Sequence, residues 1–331
     1  MAEVSKKVDA VFEGGGVKGI GLVGALSVTE AKGYKFENVA GTSAGAIVAS
    51  LIAAGYTAGE IRPIMDSLDY SKFKDKSLLD RIPLLGPALS LGFKKGIYQG
   101  NFFETWLRDL LRKKNVRTFG DLVMDDYKND RRYRYKLQVV ATDVTRGRML
   151  VLPRDCAEYG LDPDHLDVAH AVRMSMSIPF FFKPVVLQDA AGKSSYIVDG
   201  GVLSNYPVWL FDDGTPNPPW PTLGYKLVAP NEGSPHAIHG PISLFAALFS
   251  TMMEAHDARY IDDHNFARTI PTPTLGVRTT DFDLSREMAE KLYQSGVKAA
   301  EEFFQKWDFE TYKMKYRQAQ PPARRAMVAG R

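Results

Sequence analysis

Short apolar runs near the start of the chain alternate with stretches of small residues. Residues 8–12 and 36–40 have the length and the valine and phenylalanine content of strands, whereas residues 21–26 and 44–54 read as small-residue helices. A strand–helix–strand–helix order predicts parallel strands joined by right-handed crossovers. Residues 137–142 predict another buried strand. The pattern therefore predicts a three-layer α/β/α sandwich around a mainly parallel central sheet.

Two longer helices follow from apolar residues that recur with helical spacing. Residues 101–113 form an amphipathic pattern, and Asn101 and Glu104 have the spacing of a capping box at its start. Residues 285–307 predict a long helix that packs against the sheet. From residue 311 the apolar period is lost, so residues 311–331 are expected to be mobile or draped over the surface.

A candidate nucleophile lies between the second predicted strand and its helix. Residues 41–45 read G-x-S-x-G, with Ser43 at the turn and Gly41 and Gly45 on either side. A serine on a sharp strand-to-helix turn projects its hydroxyl above the sheet, and small neighbours are needed because the backbone there is crowded. The adjacent helix N-terminus favours a developing oxyanion.

A glycine-rich loop follows the first predicted strand. Gly14, Gly15 and Gly16, with Lys18 shortly after, can turn tightly and present bare N–H groups to an oxyanion or another anion. The same glycines fit the G-x-G-x-x-G pattern of dinucleotide-binding sites. That pattern requires an acidic residue at the end of the second strand, and Glu37 lies at its start. The oxyanion interpretation is favoured.

Asp199 ends the β-type run 196–199 and precedes two glycines. At the carboxyl end of a strand, where open α/β sheets place their ligands, it can serve as general base for a serine. An isolated Asp-Gly pair would more often mark a tight turn. A Ser-His-Asp triad is the rival arrangement, and four histidines follow Asp199 in the chain: His236, His239, His256 and His264. None lies in a clear strand-end loop, and residues 262–264 are interpreted as a solvated face rather than a metal site.

The glycine loop, the G-x-S-x-G serine and the Asp-Gly-Gly aspartate, in this order, resemble the patatin-like phospholipases. The resemblance covers residues 8–208 and includes segments 140–143 and 174–179. It implies that Ser43 is the nucleophile, that Asp199 completes a catalytic dyad without histidine, and that the glycine loop forms the oxyanion hole. Glu13 replaces a more usual aspartate, and Lys18 stands where arginine is commoner.

The resemblance implies a serine lipid acyl hydrolase that acts on phospholipid or other lipid esters and needs no metal or cofactor. Residues 1–310 would form one catalytic domain and residues 311–331 a tail. Two alternatives stay open: a catalytically silent lipid-binding or regulatory module on the same fold, and an NAD-dependent oxidoreductase that uses the glycine loop.

Composition adds limits on partners and compartment. The 331 residues carry 42 Lys and Arg against 39 Asp and Glu, and this near balance gives no case for a nucleic-acid partner. The one cysteine, Cys156, cannot form an internal disulfide, so a reducing cytoplasmic compartment is expected, with transient contact at a membrane surface. Residues 1–7 do not resemble a signal peptide, and no apolar run reaches the length of a membrane span.

Residues 82–93 are apolar, interrupted by proline and glycine, and flanked by basic residues. Such a segment suits a lid or an interfacial anchor for a lipid substrate. A buried core loop is an equally good interpretation. The sequence does not indicate the oligomeric state.

Overall fold

The computed structural model describes residues 6–68, 96–230, 238–240, 263–279 and 284–318, together with residues 244, 247–248, 250–252 and 281. The predicted lid or anchor segment, residues 82–93, lies outside the described residues. So do His236 and His256.

Ten strands form in the described part of the chain: β1 Lys6–Phe12, β2 Tyr34–Thr42, β3 Gly96–Tyr98, β4 Leu137–Asp143, β5 Arg148–Leu152, β6 Phe180–Phe182, β7 Val185–Gln188, β8 Ser194–Asp199, β9 Thr222–Val228 and β10 Thr269–Pro273. The α-helices of the same residues are α1 Gly19–Ala31, α2 Ala44–Ala53, α3 Ala58–Asp66, α4 Asn101–Arg112, α5 Val168–Ser175, α6 Asp263–Phe266, α7 Arg286–Lys306 and α8 Phe309–Tyr312. A π-helical stretch, Lys313–Gln318, follows α8.

The main sheet has the order β10-β9-β1-β2-β4-β8-β7, with β5 also paired to β4. All pairings from β10 to β4 are parallel, whereas β5, β8 and β7 join antiparallel. Helices cover both faces, so the predicted α/β/α sandwich is confirmed. The sheet is mixed because its parallel part ends at β4.

The strands β2 and β8 meet end to end along one side of β4. β2 pairs with residues 137–140 of β4, and β8 pairs with residues 141–143. β5 pairs with residues 139–143 and so overlaps both of these stretches. Because β5 occupies the other side of β4 there, β2 and β8 share the remaining side. Thr42 ends β2 opposite Val140, and Asp199 ends β8 opposite Ala141. The carboxyl ends of the two strands therefore point at each other.

Helices α1 and α7 pack backbone against backbone on one face of the sheet. A Cβ added to Gly24 would lie 2.0 Å from the carbonyl oxygen of Tyr293, and one added to Gly296 would lie 1.9 Å from that of Gly21. The small residues noted in the sequence after the glycine loop thus serve this close contact.

The predicted capping box of α4 is wrong. The helix is capped by Gly100, whose backbone is left-handed with φ 74°. There is no room for a Cβ at Gly100, because it would lie 2.1 Å from Nε of Arg173. Asn101 is the first helical residue, and Glu104 instead accepts from Arg108.

Within the described part of the chain, β10 forms one edge of the main sheet. Gly224 N donates to Arg268 O, and Thr274 N donates to Val228 O. Because alternate residues of a parallel strand bond to the same neighbour, the backbones of Pro271 and Pro273 face away from β9.

The C-terminal elements pack on the domain as far as residue 318. Tyr312 is buried, and its hydroxyl lies 2.7 Å from Nε2 of His264. Arg317 hydrogen-bonds to the fully buried carboxylate of Asp212, which also binds Arg268 at 2.6 Å. Among the described helices, none is long and apolar enough to cross a membrane.

Candidate active site

Ser43 occupies a strained turn between β2 and α2. Its φ of 53° and ψ of −125° lie where residues other than glycine rarely occur, at a cost of about 1–3 kcal/mol. A Cβ on Gly41 would lie 2.3 Å from the backbone of Gly45, and one on Gly45 would lie 2.3 Å from Phe12 O. Both positions therefore require glycine, because a side chain there would clash with the backbone, as the sequence pattern indicates.

Asp199 lies at the end of β8 and is 1% exposed. Its Oδ1 accepts the N–H of Gly201 at 2.8 Å, and its Oδ2 is buried without a hydrogen bond. Burial raises the pKa of Asp199 to about 7, although the hydrogen bond from Gly201 and the interaction with the Ser43 hydroxyl hold this pKa down. The carboxyl group is thus desolvated and faces Ser43, and its Oδ2 accepts no hydrogen bond.

The meeting of strand ends explains how Asp199 reaches Ser43. Sequence reasoning placed Asp199 by the rule for the carboxyl ends of parallel strands, but β8 runs antiparallel to β4. Asp199 and Thr42 lie opposite neighbouring residues of β4, and Ser43 follows Thr42 directly. The register therefore brings together residues that are far apart in sequence.

The glycine loop lies beside the nucleophile. A Cβ on Gly14 would be 3.0 Å from the Ser43 Cβ, and Gly14 N donates to Asn205 O at 3.2 Å. The N–H groups of Gly15 and Gly16 make no hydrogen bond with the residues that the structure describes. Gly16 has φ +58°, and a Cβ there would lie 2.1 Å from a backbone oxygen. These two N–H groups therefore belong to a loop whose first glycine, Gly14, lies against Ser43.

Glu13 anchors this loop. The buried carboxylate accepts from Lys226 Nζ at 2.9 Å and also from the N–H of Leu227. Lys18, the expected basic residue of the loop, is half-buried, and its Cε lies 3.6 Å from the position of a Cβ on Gly15. The departure at Glu13 thus keeps a carboxylate that ties the loop to β9.

Comparison with known proteins decides the family. The model of the family described as patatin-like phospholipase matches residues 10–212. The chain belongs to the patatin-like phospholipase family. YqhO, an uncharacterized protein of Bacillus subtilis (strain 168), is 42% identical over 304 residues, which cover 91% of this chain and 99% of that protein.

Two further proteins are more distantly similar, one in the sequence of part of the chain and one in fold. A cUMP-AMP-activated phospholipase of Escherichia coli is 28% identical over 201 residues, which cover 59% of this chain and 55% of that protein. The crystal structure of VipD from Legionella pneumophila superposes with a TM-score of 0.54 at 19% identity and covers 92% of this chain and 67% of that one. This likeness concerns the fold.

Neither Ser43 nor Asp199 hydrogen-bonds to a histidine in the described structure. His170 lies 3.2 Å from Glu104, and His264 bonds to Tyr312. No group of three or more potential metal-binding side chains occurs within the described ranges. Glu37 pairs with Lys7 at 3.4 Å near the start of β2, away from the glycine loop.

Sequence reasoning assigned no role to the three residues that follow one another at the end of α5. Ser175 Oγ accepts the Ser43 N–H at 2.8 Å, Ser43 Oγ donates to Met176 Sδ at 3.6 Å, and Ser177 O accepts the Asp199 N–H at 2.9 Å. Only the family-like motif at residues 174–179 singled out this segment in the sequence, because its contacts depend on the tertiary fold.

Proposed function

We propose that this patatin-like protein is a serine lipid acyl hydrolase in which Ser43 is the nucleophile and Asp199 the general base. Membership of the family supports lipid hydrolase activity. The observation that carries the specific assignment is the buried Asp199 carboxyl, which faces a serine on a strained strand-to-helix turn. The substrate class is the carboxylic esters of phospholipids or related lipids.

The first half-reaction forms an acyl-enzyme. Ser43 Oγ attacks the ester carbonyl carbon while its proton passes to the unoccupied Oδ2 of Asp199. The N–H groups of Gly15 and Gly16 stabilise the negative charge that develops on the carbonyl oxygen. When the tetrahedral intermediate collapses, the alcohol part of the lipid leaves with the proton from Asp199.

The second half-reaction regenerates the enzyme. Asp199 takes a proton from water, and the resulting hydroxide attacks the acyl carbon on Ser43. The fatty acid leaves as Ser43 Oγ recovers its proton. A carboxyl pKa near 7 suits both steps, because the group must accept and return a proton close to neutral pH.

The same proposal includes the site of action. The lone cysteine, Cys156, is buried and unpaired, which fits a reducing cytoplasmic compartment. Lipid substrates reside in membranes, so the protein would act by transient contact with a membrane surface.

The test uses a fluorophosphonate probe, which labels activated serines covalently. We expect labelling at Ser43, and Ser43→Ala should abolish both labelling and hydrolysis of a p-nitrophenyl ester while leaving Tm nearly unchanged. Ser50→Ala is the matched control, since Ser50 is buried on α2 and its hydroxyl, among the described residues, bonds only to Ile47 O at 2.8 Å. Release of fatty acid from phospholipid vesicles, followed by mass spectrometry, identifies the substrate. Full activity in Ser43→Ala would refute the proposal.

A further inference from the structure

Ser175 bridges a gap in the sheet at the point where β2 and β8 meet. The side chain is fully buried. Its Oγ accepts the N–H of Ser43 at 2.8 Å and donates its own proton to the carbonyl oxygen of Val140 at 2.6 Å. One hydroxyl group thus connects α5, the nucleophile turn and β4.

The gap exists because both neighbouring strands end there. Thr42 ends β2 opposite Val140, and a Cβ on Gly200, which follows β8, would lie 2.3 Å from Val140 O. The Val140 carbonyl therefore faces the space between the two strand ends. Ser43, which has turned away into α2, directs its N–H to Ser175 instead of to a neighbouring strand. The Ser175 hydroxyl takes the place of a missing sheet contact.

We infer that Ser175 is a positioning residue for catalysis, holding the Ser43 turn in the strained conformation that presents Oγ to Asp199. This inference rests on the proposed function. The strained backbone of Ser43 persists only if its surroundings impose it. The Ser175 hydroxyl accepts the Ser43 N–H and donates to the Val140 carbonyl oxygen. Two hydrogen bonds in series polarise and strengthen each other.

Met176 and Ser177, which follow Ser175, help to position Ser43 and Asp199 relative to each other. Met176 contacts the Ser43 hydroxyl, and the carbonyl of Ser177 holds the backbone N–H of Asp199. Consecutive residues at the end of α5 thus contact both proposed catalytic residues, so this segment fixes their spacing. Small displacements of reacting groups cost about 10²-fold in rate, which makes this spacing a determinant of kcat.

The test compares Ser175→Ala with Ser175→Thr and with the control Ser50→Ala. Well below the Tm of each variant, Ser175→Ala should lower kcat by about 10- to 100-fold, with KM changed less than about twofold. The rate of Ser43 labelling by a fluorophosphonate should fall in parallel. Ser175→Thr, which keeps the hydroxyl, should recover most of the loss. If Ser175→Ala does not fold, Ser175→Cys, with its weak donor, takes its place in the comparison.

The outcomes distinguish this inference from the proposed function. A folded Ser175→Ala or Ser175→Cys variant with the kcat and labelling rate of Ser50→Ala would overturn the positioning role while leaving the hydrolase assignment intact. A rise in KM with unchanged kcat would also overturn it. A wild-type protein that neither hydrolyses esters nor labels at Ser43 would overturn both.

Discussion

Replacing Asp199 by asparagine is predicted to abolish activity and, above neutral pH, to stabilise the protein. Asparagine keeps the shape of the side chain and the Oδ1 that accepts from Gly201 N. It cannot accept a proton from Ser43, so kcat should fall by about 10³-fold or more, within the range for loss of a general base.

The magnitude of the stability change follows from burial. The pKa of Asp199 is raised from 3.8 to about 7, which at about 1.4 kcal/mol per unit makes ionisation of the folded carboxyl cost about 4 kcal/mol. Because the folded-state pKa is raised, the wild-type protein has its full free energy of unfolding below pH 3.8, where Asp199 is neutral in both states. This free energy falls as pH rises through 7. The asparagine amide nitrogen replaces an Oδ2 that has no partner, and an unpaired buried donor costs about 1–3 kcal/mol. The net gain at pH 8 is therefore about 1–3 kcal/mol.

The assay is urea unfolding of wild type and Asp199→Asn at pH 5 and pH 8. The difference in unfolding free energy should be near zero at pH 5 and favour the variant at pH 8. The same desolvation predicts that kcat/KM of the wild type is lost as pH falls below about 7. A variant that is equally destabilised at both pH values, or an activity that persists unchanged down to pH 5, would refute a desolvated Asp199 base.

Four further experiments test separate parts of the structure. Gly16→Ala should lower ester hydrolysis by about 10²-fold through displacement of the oxyanion donors, whereas Gly33→Ala, also at positive φ but in open space, should not. His264→Ala should reduce kcat less than about tenfold, since its ring bonds to and stacks on Tyr312 in the C-terminal elements. Cys156 should resist a thiol reagent until the protein unfolds, because burial raises its pKa to about 11. Arg317→Ala should lower the free energy of unfolding by roughly 1–3 kcal/mol, measured in urea, by removing a partner of a buried carboxylate.

The local features of the site could be predicted from the sequence because they depend on neighbouring residues. Gly41 and Gly45 mark the turn at Ser43, and the glycine run after β1 marks the loop. The antiparallel entry of β8 could not be predicted in this way, since it is set by pairing with β4 across a long stretch of chain. The same limit explains why Ser175 received no role, because its partners come from β4 and from the turn after β2.

The capping box at α4 shows the reverse limit. Asn101 and Glu104 have the right spacing, but the N-cap is the left-handed Gly100, one residue earlier, and Arg173 occupies the space that a Cβ there would need. The contact with Arg173 comes from a distant part of the chain and could not be predicted from the local pattern.

The outward-facing prolines of β10 have a consequence for association between copies of the chain. An exposed edge strand can recruit a strand from another molecule, since its free N–H and C=O groups form a template. Pro271 and Pro273 have no N–H to offer, and the carbonyl of Pro273 already accepts from Ser295 Oγ at 2.8 Å. A strand added along β10 would therefore lack the N–H donors of two outward-facing residues, which disfavours intermolecular sheet growth, the first step towards β-aggregation, at this edge.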